Sequence, residues 1–460
     1  MKKSKEKCSH KKSRIFILFI SLTALFLVFS LTAAAEEIVL EEPEYQSFEL
    51  DNGLQFMVFP DHSIPLLRYS IYYNVGSIDE KEGQTGISHF LEHLMFLGTE
   101  NLPEGEIDDL IASVGGQLNA ATSFDYTYYY HEVPSSMLEL VMALESDRMQ
   151  NLRFNDQEIK REREVIKQER RMRTENNIFS RGFEEIKAHA FQDSYLEHNV
   201  IGWMEDINSI STSELKNYYQ RYYSPNNALV VVSGDVELEE VKEFAQNYYA
   251  DYQTADIVRR DFRLPEQQTE KSHTVNLKTN IPYALQLYRI PPADNLETAA
   301  VEIFLDILAN NQSSRLKEKL QKEEGIILAS GAFMYPLRKD SFALIYFIPS
   351  NQDLVEEAQQ AFDRELDKIF NEGISAQEFE MVKKQYQKSL IFSQKNIDSA
   401  ASTYALNKIR FNRADLIEAK IDFINDLSRE DIVRIAEKYF KQSQRTRGYI
   451  LPEAKGGAQQ

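Results

Sequence analysis

Gly86-Ile-Ser-His89-Phe-Leu-Glu92-His93-Leu-Met-Phe96 sets two histidines and a glutamate inside a helical pattern. His89 and His93 are four residues apart, so on a helix they stand one turn apart and point the same way. Two imidazoles at that spacing can share one zinc ion, and Glu92 lies beside them. The familiar His-Glu-x-x-His zinc motif uses the same three groups, which here run in the opposite chain direction. The chain has only eight histidines, so this five-residue pattern is uncommon by chance. The competing reading is a pair of surface histidines on an acidic helix.

On either side of this segment the chain alternates short strand-like and longer helix-like stretches. Residues 45–59 and 66–75 read as strands, with Asp51-Asn52-Gly53 marking a hairpin turn. Residues 86–97 and 105–113 read as helices and 117–132 as a strand pair. Helical patterns follow at 136–149, 156–175 and 212–223, and the β-branched run Ala228 to Ser233 ends the first half. From about 253 to 275 periodicity is lost and the composition turns polar, as in Gln267-Gln268-Thr269-Glu270-Lys271, which reads as an interdomain linker. The second half repeats the order, with strand-like 282–290, helices at 297–309 and 313–323, strands at 326–334 and 341–348, and long helices out to 440.

The ends of the two halves match in detail. Ser211-Thr-Ser-Glu214 opens one helix and Ser428-Arg-Glu-Asp431 opens the other, each with a capping serine and an acid three residues on. Both helices finish twelve residues after the serine, at Tyr223 and Phe440, and each leads to a final strand. Two copies of one α+β domain, over 36–252 and 276–456, is the economical reading. Two unrelated capped helices are the alternative.

A chain of 460 residues exceeds one ordinary core, so two or more domains are expected on length alone. Its 43% hydrophobic and 11% aromatic content is enough to fill well-packed cores. There are 52 basic and 72 acidic residues, a net charge of −20. That balance repels nucleic acid and anionic lipid and suits a soluble protein.

Residues 1–35 are a different kind of sequence. Lys2, Lys3, Lys5, Lys7, Lys11, Lys12 and Arg14 precede an apolar run from Ile15 to Leu31, and Ala33-Ala34-Ala35 offers a small-residue cleavage site before Glu36. This is the layout of a secretory signal peptide, and it predicts an exported protein, periplasmic or extracellular. The run is near the lower limit for a membrane span, so an uncleaved anchor is the alternative. Cleavage would remove seven basic residues and one acidic residue, leaving a net charge of −26. It would also remove Cys8, the only cysteine, so the mature chain would have no thiol or disulfide chemistry.

His89-Phe-Leu-Glu92-His93 resembles the inverted zinc motif of the pitrilysin (insulinase) family of metallopeptidases. Asn74-Val-Gly-Ser, Phe96-Leu-Gly-Thr and Gly115-Gly116-Gln-Leu-Asn119-Ala120 are also similar to that family. The resemblance covers nearly all of the chain beyond residue 35, strongly in the first half and weakly in the second. Its length is like the half-sized, processing-peptidase-like branch. The resemblance implies a tandem of two α/β-sandwich domains, each a mainly antiparallel sheet covered by helices.

It also implies one Zn²⁺ per chain, held by His89, His93 and a glutamate well downstream. Glu164-Val-Ile-Lys-Gln-Glu169-Arg-Arg-Met matches the segment that carries this third ligand, which places it at Glu169, with Glu162 as its helical neighbour. Residues 158–173 are a dense run of Glu, Lys and Arg in which a glutamate would ordinarily be solvated. Glu162 and Glu169 are seven apart, hence on one helix face, with Val165 and Ile166 between them. Glu162 would orient or tune the site rather than bind metal. Glu158 and Glu164 are the alternatives within the run.

Bound zinc lowers the pKa of a water toward ~7 and polarises a scissile carbonyl. Glu92 would take the water proton and pass it to the leaving amine. The resemblance further implies that the strand Leu118-Asn119-Ala120-Ala121-Thr122 adds a peptide substrate to the sheet, with Asn119 and Ala120 at its backbone. A turn-capping Asn119 is the alternative. The tyrosines of 126–130 read as packing.

One departure stands out. Active members of the family carry an Arg and a Tyr seven apart in the second domain, and alignment puts Gln321 and Leu328 there. Leu328 cannot donate a hydrogen bond and Gln321 carries no charge. The expectation is a heterodimer in which a homologous subunit supplies the Arg and Tyr, with a homodimer as the alternative. Arg315 or Tyr335 could instead take over that role within the chain. The function expected is an endopeptidase or oligopeptidase for short or unfolded peptides, and the rival is a non-catalytic peptide-binding or scaffold subunit of the same fold.

Overall fold

In the computed structural model, which describes residues 43–259, 264 and 266–453, the strand-like runs build two sheets. The first contains β1 (Gln46–Glu49), β2 (Gln55–Pro60), β3 (Leu66–Tyr73), β4 (Gln117–Thr122), β5 (Thr127–Pro134) and β6 (Ala228–Gly234), in the spatial order β1-β2-β6-β3-β5-β4. The second contains β7 (Lys271–Leu277), β8 (Tyr283–Ile290), β9 (Ile327–Tyr335), β10 (Ser341–Pro349) and β11 (Thr446–Pro452), in the order β7-β11-β8-β10-β9. With β1 set aside, the strands correspond one to one. β2 runs parallel to β6 as β7 does to β11, and every other pair in both sheets is antiparallel. The protein is thus a mixed α+β tandem of two like domains, and the repeat heard at Ser211 and Ser428 extends to a whole sheet.

Helices of the first half are α1 (Ile87–Leu94), α2 (Glu106–Ser113), α3 (Leu138–Gln150), α4 (Asp156–Arg170), α5 (Ile178–Ala190), α6 (Met204–Ser209), α7 (Thr212–Tyr222) and α8 (Leu238–Tyr249). Those of the second half are α9 (Glu297–Leu305), α10 (Val355–Glu372), α11 (Ala376–Gln394), α12 (Ile397–Phe411), α13 (Leu416–Asp426) and α14 (Arg429–Tyr439). Both capping boxes form: Ser211 and Glu214 at α7, and Ser428 and Asp431 at α14, exchange side-chain and backbone hydrogen bonds. Each such cap stabilises its helix by about 1 kcal/mol.

The halves interlock. β6 is buried along its whole length, as its run Leu229-Val230-Val231-Val232 requires of a strand covered on both faces. One cover comes from the other half: α12 lies against β6, β3 and β2, and the Ser233 hydroxyl donates to Asp398 at 2.6 Å. Reciprocally, α5 of the first half packs on β7, β11 and β8 of the second sheet. The approach is close enough that a Cβ on Gly448 of β11 would stand 2.4 Å from Ile186 of α5. Buried ion pairs reinforce the junction. Asp125, in the turn between β4 and β5, accepts from the Arg338 backbone N–H at 2.7 Å and from Arg410 at 2.9 Å. Asp79 pairs with Arg259 and Arg338 at 3.3 and 3.6 Å. Such buried carboxylates are tolerated because each has a cation beside it.

Several sequence expectations need correction. Lys271 to Leu277, which begins inside the stretch read as linker, is strand β7. It is an edge strand with alternate residues exposed, so its polar face disguised it. Helices α5, α6 and α8 have no counterpart in the helical patterns read from the sequence. The apolar side of α5, with Phe179, Phe183 and Ile186, is matched to a sheet from the other half, which no local pattern announces. The segment 1–35, with its basic and apolar runs and Cys8, lies outside the described residues, as do residues 454–456. Among the described residues no helix is long and apolar enough to cross a membrane.

Candidate metal centre

Helix α1 is amphipathic in a way that fixes which side chains face outward. Ile87, Phe90, Leu91 and Leu94 are buried in the first core, which turns His89, Glu92 and His93 toward β4 and α4. Gly86 opens the helix at φ +87, and a Cβ there would stand 2.4 Å from the carbonyl oxygen of Ile201, so only glycine fits. The buried Glu80 carboxylate closes the same end, accepting the backbone N–H groups of Gly86 and Ser88 at 2.8 and 3.0 Å. These are amides a helix leaves without partners at its first turn.

Helix α4 supplies the carboxylates. Asn155 caps it, accepting the N–H groups of Gln157 and Glu158. Ile159 and Ile166 are its buried face, and Glu162 and Glu169, three residues beyond each, lie half-buried next to it. Val165, read from sequence as part of that face, is instead 47% exposed. The alternatives Glu158 and Glu164 are engaged elsewhere, with Arg153 at 2.8 Å and Lys167 at 2.9 Å.

One ligand atom each from His89, His93 and Glu169 lie within 4.8 Å of one another. The Nε2 atoms of His89 and His93 stand 3.6 and 3.2 Å from the same oxygen, Oε2 of Glu169. A tetrahedral zinc site with bonds of ~2.0–2.1 Å has ligand-to-ligand edges of about 3.3 Å, so the triangle suits a zinc-sized ion. The donor set also fits, since two imidazoles and one carboxylate leave a fourth position open.

The electrostatics are those of a site arranged around positive charge. Burial, aided by the neighbouring His93, pushes the His89 imidazolium down to about 4, so its ring is neutral and its lone pair free. Among the described residues its Nδ1 is buried without a hydrogen-bond partner. Burial alone would lower His93 as well, but Glu162 and Glu169 outweigh it and hold His93 up to about 9. Nδ1–H of His93 donates to Glu162 at 2.7 Å, which turns Nε2 toward Glu169. Glu169 is half-buried, which would raise it, yet His93, His89 and Arg173 keep its carboxyl below the usual range, and Arg173 holds its other oxygen at 2.8 Å.

Glu92 lies with this group. Its Oε2 accepts the Thr122 hydroxyl at 2.5 Å, and burial raises its carboxyl. Beside His89 and Thr122 a cavity of about 280 Å³ opens between the halves, walled by Phe124, Phe183, Tyr335 and Phe342.

Asn119 and Ala120 sit mid-strand on β4, the edge of the first sheet, so Asn119 caps no turn. The Asn119 side-chain oxygen accepts the Ala120 N–H at 2.8 Å, closing an amide on that edge. Tyr128 stacks on Tyr72 and Tyr130 while Tyr129 is buried, in keeping with packing. Gln321 and Leu328 are adjacent in space, the Gln321 amide donating to the Leu328 carbonyl at 2.9 Å. Arg315 is tied to Glu378 at 2.9 Å, and Tyr335 lines the cavity beside His89.

Sequence reading missed Thr122, Arg173 and Glu80. Two of them carried a signal: Thr122 is two residues from Ala120 and so shares its strand face, and Arg173 is one helical turn beyond Glu169.

The family description "Insulinase (Peptidase family M16)" matches residues 61–202, and "Peptidase M16 inactive domain" matches residues 209–386. Zinc protease PqqE of Helicobacter pylori is 28% identical over 89% of this chain and 93% of its own length. The probable zinc protease PqqL of Escherichia coli is 27% identical over 73% of this chain, which spans only 37% of that longer protein. A crystal structure of a protease from Helicobacter pylori superposes with a TM-score of 0.85 at 26% identity, covering 90% of this chain and all of that one. The first half of the periplasmic protease PqqL from Escherichia coli shares the fold, with a TM-score of 0.75 at 21% identity over 90% of this chain and 93% of that one.

Proposed function

Because the chain belongs to the insulinase (M16) family of peptidases, we propose that it is a zinc-dependent endopeptidase acting on short or unfolded peptides. The observation that carries this reading is the convergence of His89, His93 and Glu169 on one point, with Glu92 beside them. Zinc held by those three residues would supply a Lewis acid for the scissile carbonyl and a water acidified toward ~7.

The chain's own groups do the rest. Glu92 takes the proton from the attacking water and delivers it to the departing amine. Glu162 holds the His93 ring so that Nε2 faces the metal position. The open edge of β4 aligns a peptide as an added strand, with Asn119 swinging off the Ala120 N–H so that the peptide carbonyl can take its place. One substrate side chain would enter the aromatic-walled cavity beside His89. The basic and apolar segment ahead of Glu36 supports export, with action in the periplasm or outside the cell.

A second reading draws on Gln321 and Leu328, which offer neither the charge nor the hydroxyl expected there. In one form a homologous subunit brings the Arg and Tyr. In the other the chain binds peptide through zinc without turning it over. Glu92→Gln separates peptidase from binder. In a peptidase it keeps stoichiometric zinc and lowers cleavage of an unstructured peptide by about 10²–10⁴-fold. Unchanged cleavage in that variant, or a metal-loaded wild type that cleaves nothing with or without a partner chain, overturns the peptidase reading.

A further inference from the structure

Glu92 is the proton-transferring group of the site, and the metal would not fix its orientation. A glutamate carboxylate turns freely about its last torsion, which has broad wells, so a base that must meet a water at one angle needs something to hold it. His93 is held by Glu162, and Glu169 by Arg173. Glu92 is held by Thr122, whose hydroxyl donates to Oε2 at 2.5 Å. The bond to Oε2 fixes the plane of the carboxylate and with it the direction in which Oε1 faces.

The identity of the residue that does this matters. Thr122 ends β4, the outer strand of the first sheet, and faces Thr127 across the β4–β5 pair. Leu118, Ala120 and Thr122 project to one side of the strand, and Leu118 and Ala120 pack against the core that also holds α1. The same short strand therefore offers an open edge to a peptide and, two residues past Ala120, grips the carboxylate on α1. The β4–β5 turn beyond it is pinned through Asp125 to Arg338 and Arg410, so the strand end has little freedom to drift.

We propose that Thr122 is a positioning residue for Glu92: its hydroxyl sets the angle of the carboxylate and links the register of a strand-bound peptide to the group that takes the proton. This inference rests on the peptidase reading above. Substrate alignment and base alignment become one structural variable, because both are measured from β4. A side chain isosteric with threonine but lacking the hydroxyl would leave the strand, the metal ligands and the peptide edge in place and free only the carboxylate.

The test uses the full zinc-loaded chain, with its partner chain if cleavage requires one, and compares Thr122→Val with Thr122→Ser. Thr122→Val is expected to keep stoichiometric zinc, the melting temperature and KM, while kcat falls on the order of 10- to 100-fold. Thr122→Ser, which restores the hydroxyl, is expected to recover most of that loss. A readout independent of turnover is the ¹³C resonance of the Glu92 carboxyl in the metal-free protein, identified by its disappearance in Glu92→Gln. It should move in Thr122→Val and return in Thr122→Ser. An unmoved resonance, a wild-type kcat in Thr122→Val, a rise in KM alone, or equal impairment of both variants each overturns the inference while leaving the peptidase reading intact. A wild type that cleaves nothing overturns both.

Discussion

Nδ1 of His93 and Oε1 of Glu162 stand 2.7 Å apart, on the side of the imidazole away from Glu169. The hydrogen bond sets the tautomer and raises the basicity of the nitrogen that remains. Replacing Glu162 with Gln keeps an acceptor but removes the charge. Zinc affinity, read by competition with a chromogenic chelator, is expected to weaken about 10–100-fold with the fold unchanged. An unaltered affinity would reduce Glu162 to a surface acid.

Gln321 spends its amide on the Leu328 carbonyl, and the Leu328 side chain is 52% exposed. Neither residue can stabilise a developing oxyanion as an Arg and Tyr would. The purified chain is therefore expected to cleave peptides slowly, and a homologous chain carrying the Arg and Tyr should raise kcat by about 10²-fold or more. Full activity of the chain alone would point to a donor already in the cleft, and Tyr335→Phe would then be the variant to lose it.

Glu80 makes the start of α1 sensitive to pH. Burial pushes its carboxyl up from 4.5 to about 8, against the pull of the Ser88 and Gly86 amides. A raised carboxyl means that the folded protein keeps a proton that the unfolded chain gives up. The stability this group lends is present below about 4.5 and is lost as pH rises through about 8. Chemical denaturation of the chelated protein should show stability falling across that window, and Glu80→Gln should flatten the slope. A slope unchanged by the substitution would assign it to other groups.

How much of this could be read from the chain depends on how local each cause is. The His89–Glu92–His93 face follows from helix spacing alone. The capping serines 211 and 428 announced the repeat because a cap is written in four consecutive residues. Glu169 was legible only through resemblance. In the charged run 158–173 nothing local says which glutamate turns inward, and Val165, an apolar residue, proved to be outside while Ile159 and Ile166 define the face. Helix α5 was missed because its apolar side is matched to the sheet of the other domain, and strand β7 because it is an edge strand with a polar, exposed face. The ties at Asp125, which join residues 213 and 285 positions apart, have no sequence signature at all.

The most direct test of the account is metal analysis of the pure protein after equilibration with limiting zinc. One zinc per chain is expected in the wild type and in Glu92→Gln, and almost none in a folded Glu169→Ala. Zinc that fails to bind the wild type stoichiometrically, or that persists undiminished in Glu169→Ala, would contradict it.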